Sequence, residues 1–558
     1  MLTALEDNFI YMYQTSFQEH WDLEAITDYG TTNTLTYSQL AARIARLHLL
    51  FKQCGIKKDE KIAVMGRNNC NWVTVYMAAV TYGAIIVPIL QDFKANDALH
   101  IINHSESKLL FISDLIWEGL DIEQMDNIVA VYSLADMKTL STRITSKPIS
   151  WEWAAEAFQR KYPNGFTKDD VRYAERPNNK IASINYTSGT TGFSKGVVTP
   201  LNALAGHNKF FMETKRIFPG GRHVAFLPLA HAYGCAVDFL GNLYAGGHTY
   251  FIGRTPSPKI LLQAFAEVKP TLIISVPLIL EKIYKKQIVP QISKAPVSWV
   301  LKVPYLDEVV LGKIRQQLID AFGGEFSQVI IGGAPLNAEV EQFLKRIRFP
   351  FSVGYGMTEC APLISFSLAP DWKSGSCGKM IPGLMEARID RPNKDGVGEI
   401  QVKGEHLMQG YYKNEQATKD TFTKDGWLKT GDLGLIDEEG YLFIKGRNKT
   451  MLLGASGQNI YPEEIEAKLN NMPYVMESLI IQHQDHLIAL VCPDYDAVDN
   501  SHLSREKLEE AMEENRKNLN AQLADYEQIT KIKLYPHEFE KTPKKSIKRF
   551  LYTSTAED

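Results

Sequence analysis

The chain has 558 residues, with 61 Lys plus Arg against 65 Asp plus Glu for a formal charge of −4. Hydrophobic residues make up 45% and charged residues 23%, which excludes a disordered or fibrous chain, and the length excludes a small binding module. Nucleic acid is not expected as a partner, because the basic excess of a dedicated nucleic-acid binder is missing.

The six cysteines are widely spaced and never form C-x-x-C, which argues against a zinc site or a disulfide framework and points to a reducing, cytoplasmic compartment. The N-terminus lacks a basic region followed by an apolar one, and no stretch approaches about 18 uninterrupted apolar residues. Neither an export signal nor a membrane span is expected.

From about residue 35 to 360 short apolar, β-branched runs alternate with helical patterns. KIAVM, a helix ending at Tyr82, AIIVPIL, LLFIS and NIVAVYSL come first, then IASINY, HVAFLPL, TLIISV and QVIIG. This alternation predicts parallel strands with crossover helices, an α/β fold. Several runs end in Gly, Ser, Thr or Pro clusters, and ligands of open parallel sheets gather at such carboxyl ends. Around 385–445 the texture changes to EARI, GEIQVKG and GYLFIKG, which predicts hairpins or a small β-barrel. Beyond GRNKTMLL a mixed α+β pattern returns, with a helix from YPEEIEAKLNN, strands SLIIQ and LIALVCP, and a charged helix over 503–524. The division predicted is a large part over 1–446 and a smaller, mobile C-terminal domain over 447–558, joined by a short hinge.

The strongest chemical signal is Tyr186-Thr187-Ser188-Gly189-Thr190-Thr191-Gly192-Phe193-Ser194-Lys195-Gly196-Val197. It follows an apolar strand, its glycines let backbone approach a ligand, its hydroxyls and N–H groups can donate to phosphate oxygens, and Lys195 adds positive charge. It is not the common G-x-x-x-x-G-K-[ST] loop, since Gly196 follows Lys195. A surface turn needs one or two Gly or Asn residues rather than a run of small polar ones followed by Lys.

YTSGTTGFSKGV is similar to the signature loop of the adenylate-forming superfamily, which includes acyl-CoA synthetases, luciferases and peptide-synthetase adenylation domains. The other motifs follow in that family's order: Gly332-Gly333-Ala334-Pro335-Leu336, Tyr355-Gly356-Met357-Thr358-Glu359, Thr430-Gly431-Asp432 and Gly446-Arg447-Asn448-Lys449. The resemblance implies an ATP site in which Gly333, Ala334 and Pro335 line adenine, Tyr355 offers an aromatic plane for stacking and Gly356 lies beside it. Thr187, Thr358 and Glu359 would face the phosphates, and Glu359 suits one Mg²⁺, an ion that takes one or two protein carboxylates and keeps most of its waters. On the residues alone, Glu359 and Thr358 could instead cap a helix. The resemblance also implies that Asp432 accepts from ribose hydroxyls, that Arg447 contacts ribose or phosphate, and that Lys449 is the hinge. Gly457 and Gln458 fall in a loop like the one that approaches the pantetheine arm of CoA.

In the family a C-terminal lysine bridges carboxylate and α-phosphate. The matching run is Lys541-Thr542-Pro543-Lys544-Lys545-Ser546-Ile547-Lys548-Arg549, which places Ser546 at that position. Lys545 is the candidate if the loop slips by one residue, and Lys544 or Lys548 if the run is a strand. The same run can be a solvated patch that attracts CoA phosphates or a peripheral membrane surface.

Leu227-Pro228-Leu229-Ala230-His231-Ala232-Tyr233-Gly234 resembles the family's acyl-pocket motif, in a form most like long-chain fatty acid–CoA ligases. His231 and Tyr233 are expected to border that pocket, or equally to be core packing. The following segment is mostly apolar with one acid, Asp238, which favours an apolar acid as substrate. The reading is a fatty acid–CoA ligase using ATP, Mg²⁺ and CoA. The alternatives are an acyl-AMP ligase that loads a carrier protein, or a nucleotide or acyl-adenylate sensor in which Ser546 marks lost chemistry.

Overall fold

The computed structural model describes residues 7–187, 195–292, 306–448, 450–453, 459–483, 486–542 and 546–552. Its largest sheet has eight strands in the spatial order Gly410–Tyr411, Lys195–Pro200, Ile181–Thr187, Ile85–Ile89, Lys61–Met65, Ser107–Ile112, Ala130–Ser133 and Thr139–Thr142. The five strands from Ile181–Thr187 to Ala130–Ser133 run parallel, and antiparallel strands close both edges.

Parallel strands covered on both faces read as unbroken apolar runs, and Ile85–Ile89 is buried throughout. Side chains alternate between faces with period two. Ile62, Val64, Ile86, Leu109 and Phe111 share one apolar cluster with the helices Tyr37–Cys54 and Cys70–Tyr82, whereas Ala63, Met65, Val87 and Leu110 share another with the helix Ala95–Ser105. The first helix starts with a reciprocal Thr36–Gln39 capping box.

A second sheet joins Arg222–Ala225, His248–Phe251, Glu24–Asp28 and Thr34–Thr36, and a third has Ile273–Ser275, Val329–Ile331 and Phe351–Val353 in parallel. The sequence-predicted strand HVAFLPL is shorter than expected, ending at Ala225. Over the predicted β-rich region, Met385–Asp390, Gly398–Gly404, Leu428–Ile436 and Leu442–Arg447 form an antiparallel sheet. A single Lys379–Tyr441 bridge links it to the sheet of 355–356, 363–366 and 379–380.

Beyond residue 460, Val475–His483, His486–Pro493 and Ile529–Leu534 form a three-stranded sheet, with the helices Pro462–Leu469 and Arg505–Asn520. Its buried apolar clusters draw only on residues 460–552. Among the described residues no helix is long and apolar enough to cross a membrane.

Candidate active site

Three sequence motifs follow parallel strands that end at Thr187, Ile331 and Val353, and carboxyl ends are where an open α/β sheet offers a ligand a place. Thr187 ends its strand and pairs across the ladder with Lys195, to whose carbonyl its hydroxyl donates at 3.5 Å. Ser188, Gly189, Thr190, Thr191 and Gly192 lie outside the described residues. Gly196 is held close to the sheet, for a Cβ there would lie 2.9 Å from Ile184 Cγ2. The Lys195 ammonium stands 4.8 Å from the centroid of the Tyr411 ring, within range of a cation–π attraction.

Glu359 occupies a single helical turn, Thr358–Cys360, whose cap is Met357 with no side-chain capping bond. Neither Glu359 nor Thr358 is therefore the capping residue. The Glu359 carboxylate accepts instead from the Tyr411 hydroxyl at 2.9 Å. Burial first, and then the neighbouring Glu359 charge, push the Tyr411 phenol above its ordinary value and keep it a donor. Lys195, Met357, Glu359, Tyr411, Thr430 and Gly431 line an open cavity of about 570 Å³. Glu399 and Asp420 line the same cavity, and a carboxylate facing it fits Mg²⁺, which binds through one or two carboxylates plus substrate phosphates.

Tyr355-Gly356 forms a short strand against Leu363–Phe366. Only glycine fits at 356, because a Cβ would lie 2.1 Å from the Pro362 carbonyl oxygen. The Tyr355 hydroxyl donates to Asp432 Oδ2 at 2.5 Å, and Arg447, directly across the ladder, places Nε 3.2 Å from Oδ1. Burial raises the Asp432 carboxyl above its ordinary value, while Arg447 and the Tyr355 hydroxyl pull it back. The Arg447 side chain is 68% exposed, so it reaches solvent and any ligand there. Gly333, Ala334 and Pro335 are exposed just past the strand Val329–Ile331, and Gly333 takes φ +85° to make the turn.

The acyl motif is fixed by a residue absent from the sequence reading. Asn68 donates to the Leu227 carbonyl at 2.8 Å and accepts from the Leu229 N–H at 2.9 Å. His231 caps the next turn, accepting at Nδ1 from the Tyr233 N–H at 3.4 Å. Tyr233 is a partly buried strut: its hydroxyl donates to the Ile330 carbonyl at 3.0 Å, and a Cβ on Gly332 would lie 3.1 Å from its ring. Asp238 lies in a π-helical turn, Cys235–Gly241, buried 3.3 Å from His223 Nδ1. Burial raises the Asp238 carboxyl and His223 opposes the rise.

Lys449, Gly457, Gln458, Lys544 and Lys545 lie outside the described residues. Around them the C-terminal run is a clamped turn. Lys541 bridges to Ile547, the Thr542 N–H donates to the Ser546 carbonyl at 2.8 Å, and the Ser546 N–H donates to Thr542 Oγ1 at 3.3 Å. Lys541 pairs with Glu477 at 2.7 Å, Lys548 with Glu540 at 2.6 Å, and Arg549 with Glu466 through two bonds. These three residues thus face carboxylates, unlike the solvated patch that the sequence allowed. The larger part meets this region where Lys285 Nζ donates to the Asn470 carbonyl at 2.7 Å and where Asn337 pairs with Asn471.

A family model described as AMP-binding enzyme matches residues 13–412, and one described as AMP-binding enzyme C-terminal domain matches residues 449–555. The long-chain-fatty-acid–CoA ligase FadD15 of Mycobacterium bovis is 28% identical over 499 residues, covering 84% of this chain and 79% of the relative. The peroxisomal long chain acyl-CoA synthetase 7 of Arabidopsis thaliana is 28% identical over 527 residues, covering 88% and 73%. The structure of ATP-bound MatB from Rhodopseudomonas palustris superposes with a TM-score of 0.77 at 23% identity, covering 98% of this chain and 100% of that one. O-succinylbenzoate coenzyme A synthetase of Bacillus subtilis with ATP and magnesium gives 0.72 at 20% identity, covering 97% and 98%. The two superpositions establish a common fold, and the family models, spanning most of the sequence, establish that the chain belongs to the AMP-binding enzymes.

Proposed function

We propose that this protein is an ATP-dependent fatty acid–CoA ligase. A carboxylate oxygen attacks the α-phosphorus of ATP, pyrophosphate leaves, and the CoA sulfur then attacks the acyl carbon and expels AMP. The observation that carries this reading is one cavity lined by Lys195 and Glu359 together with Thr430 and Gly431, the two residues before Asp432. That spacing of groups suits a nucleoside triphosphate, with ribose at Asp432 and phosphates between Lys195 and Glu359. Glu359 would hold a divalent cation, which would neutralise charge on the triphosphate. The remaining work is positioning: Thr187 and Lys195 orient phosphate, Arg447 and Asp432 orient ribose, and Gly333, Ala334 and Pro335 offer an open face to the base.

The named long-chain ligases among the relatives support a fatty acid as the substrate. So does the neighbourhood of the acyl motif, where the one acid, Asp238, faces His223 rather than a ligand. We assign the adenylation lysine to Lys545, with Lys544 as the alternative. Lys541 and Lys548 are paired with carboxylates, and Ser546 stands on the stem of the turn. We place the domain boundary at 446/447, one residue before the strand Leu442–Arg447 ends. Those ion pairs also argue against electrostatic membrane docking through this run.

The test is incubation with ATP, Mg²⁺ and CoA against C6 to C18 fatty acids, acetate, aromatic acids and amino acids, with acyl-CoA read by mass spectrometry and pyrophosphate by a coupled assay. Acyl-CoA from apolar acids alone is expected. Pyrophosphate without acyl-CoA would assign a carrier-protein acceptor instead, and neither product from folded, ATP-binding protein would assign a sensor.

A further inference from the structure

We infer that Tyr411 is a positioning residue for the divalent cation: its hydroxyl fixes the Glu359 carboxylate with one oxygen left to the cavity, while its ring keeps Lys195 on the phosphate side. The inference rests on the cavity being the ATP site. Lys195 and Glu359 carry opposite charge and line the same cavity, so an ion pair between them would neutralise both of the groups that ATP and metal need. Among the described residues no such pair forms. Tyr411 meets each of them instead, Lys195 through its ring face at 4.8 Å and Glu359 Oε1 through its hydroxyl at 2.9 Å. A phenol that donates to a carboxylate also gains electron density in its ring, which strengthens the ring's hold on an ammonium. No other hydrogen bond to the Glu359 carboxylate occurs among the described residues, which leaves Oε2 for a cation.

The backbone makes this arrangement rigid. Gly410 and Tyr411 pair with Val198 and Val197 on the strand that begins at Lys195, and the Tyr412 N–H donates to the Gly196 carbonyl at 2.7 Å. The Met408 N–H donates to the Glu359 carbonyl at 2.8 Å. The next two side chains anchor elsewhere: the Tyr412 hydroxyl donates to Glu106 at 3.0 Å and Lys413 pairs with Glu106 at 2.8 Å. Residues 408–413 therefore form a strap that carries Glu359 and Lys195 as one unit, with Tyr411 alone contacting both charged groups.

The test uses the full chain with Tyr411→Phe, which keeps the ring and removes only the hydroxyl. Mn²⁺ affinity is read by electron paramagnetic resonance on the complex with a non-hydrolysable ATP analogue, and analogue binding without metal is read by calorimetry. Loss of a group that orients a metal ligand weakens metal binding roughly 10–100-fold. That loss is expected for Tyr411→Phe, with metal-free analogue binding changed less than about twofold because the ring still meets Lys195. Tyr412→Phe, which frees only the Glu106 end of the strap, is expected to bind Mn²⁺ like the unaltered chain. Unchanged Mn²⁺ affinity in Tyr411→Phe overturns the proposal, and so does an equal loss in Tyr412→Phe, which would assign the effect to strap rigidity. If the unaltered chain binds no analogue at all, the reading of the cavity as an ATP site fails first.

Discussion

The Tyr355 hydroxyl donates to Asp432 at 2.5 Å, joining the residue expected to stack on a base to the residue expected to hold a ribose. Asp432 is buried, and burial works against its charge, so Tyr355 and Arg447 together keep it an acceptor. Hydrogen bonds to charged groups contribute about 1.5–3 kcal/mol. Tyr355→Phe keeps the ring and loses that bond, and we expect the KM for ATP to rise by roughly 10–100-fold. The KM for fatty acid should stay in place. Steady-state kinetics with each substrate varied in turn checks the split; a matching rise for both substrates would point to a general structural defect.

The assignment of Lys545 to adenylation predicts that its loss separates adenylation from thioester formation. Removing one preorganised charge from a transition state lowers the rate about 10²–10³-fold. Lys545→Ala is expected to lose that much in ATP–pyrophosphate exchange while still passing a synthetic acyl-adenylate to CoA. Adding Ser546→Lys to it should restore exchange, since Ser546 stands at the position where the family resemblance expects the lysine. Lys548→Ala breaks an exposed pair with Glu540 of a kind worth about 0–1 kcal/mol, and should change exchange by less than about fivefold. A larger loss in Lys544→Ala than in Lys545→Ala would reassign the role.

How much of this was legible in the sequence depends on how local each feature is. The parallel strands read correctly because burial on both faces leaves an unbroken apolar run, as in Ile85–Ile89. The motifs at 332–336, 355–359 and 430–432 carry their own spacing; the first two follow the parallel strands Val329–Ile331 and Phe351–Val353, and the third lies within the strand Leu428–Ile436. HVAFLPL was over-read as a strand because Asn68, far away in sequence, holds Leu227 and Leu229 in a loop. Tyr411 escaped notice for a related reason: its strand has two residues, too few for a period, and its meaning depends on Val197, Lys195 and Glu359. The clamped C-terminal run looked like a charge cluster since its carboxylate partners, apart from the nearby Glu538 and Glu540, sit on separate elements.

Asn68 gives a prediction on the acyl side. Asn68→Ala removes both bonds to the 227–229 loop and leaves a buried carbonyl and N–H without that partner, at about 1–3 kcal/mol for each such group. Because the loop leads into His231 and Tyr233, the KM for fatty acid should rise more than the KM for ATP. A chain-length series should also show weakened discrimination among acids.

Gly356→Ala tests the packing under the same site. Its Cβ would meet the Pro362 carbonyl oxygen at 2.1 Å, a backbone contact that no rotamer can relieve. Overpacking of this kind costs about 1–3 kcal/mol and shifts backbone, here beside Tyr355. Thermal melting should fall by several degrees, and ATP binding should weaken in the protein that remains folded.

The last prediction concerns pH. Burial lifts the Glu466 carboxyl to about 7, with Arg549 opposing the rise. The carboxyl of an unfolded chain titrates near ~4.3, so between roughly pH 4.5 and 7 the folded state holds more protons than the unfolded one. Stability from this group is therefore greatest at the acid end of that window and declines as pH rises through it, then stays level above. Glu466→Gln mimics the protonated carboxyl beside Arg549 and removes the titration, so it should not share the loss of stability that the unaltered chain shows as pH rises through the window. The informative quantity is the difference in melting temperature between the two proteins, followed from pH 5 to 8. We expect that difference to change across the window and to be constant above it; a difference that stays flat throughout would mean that Arg549 holds Glu466 ionised at every pH tested.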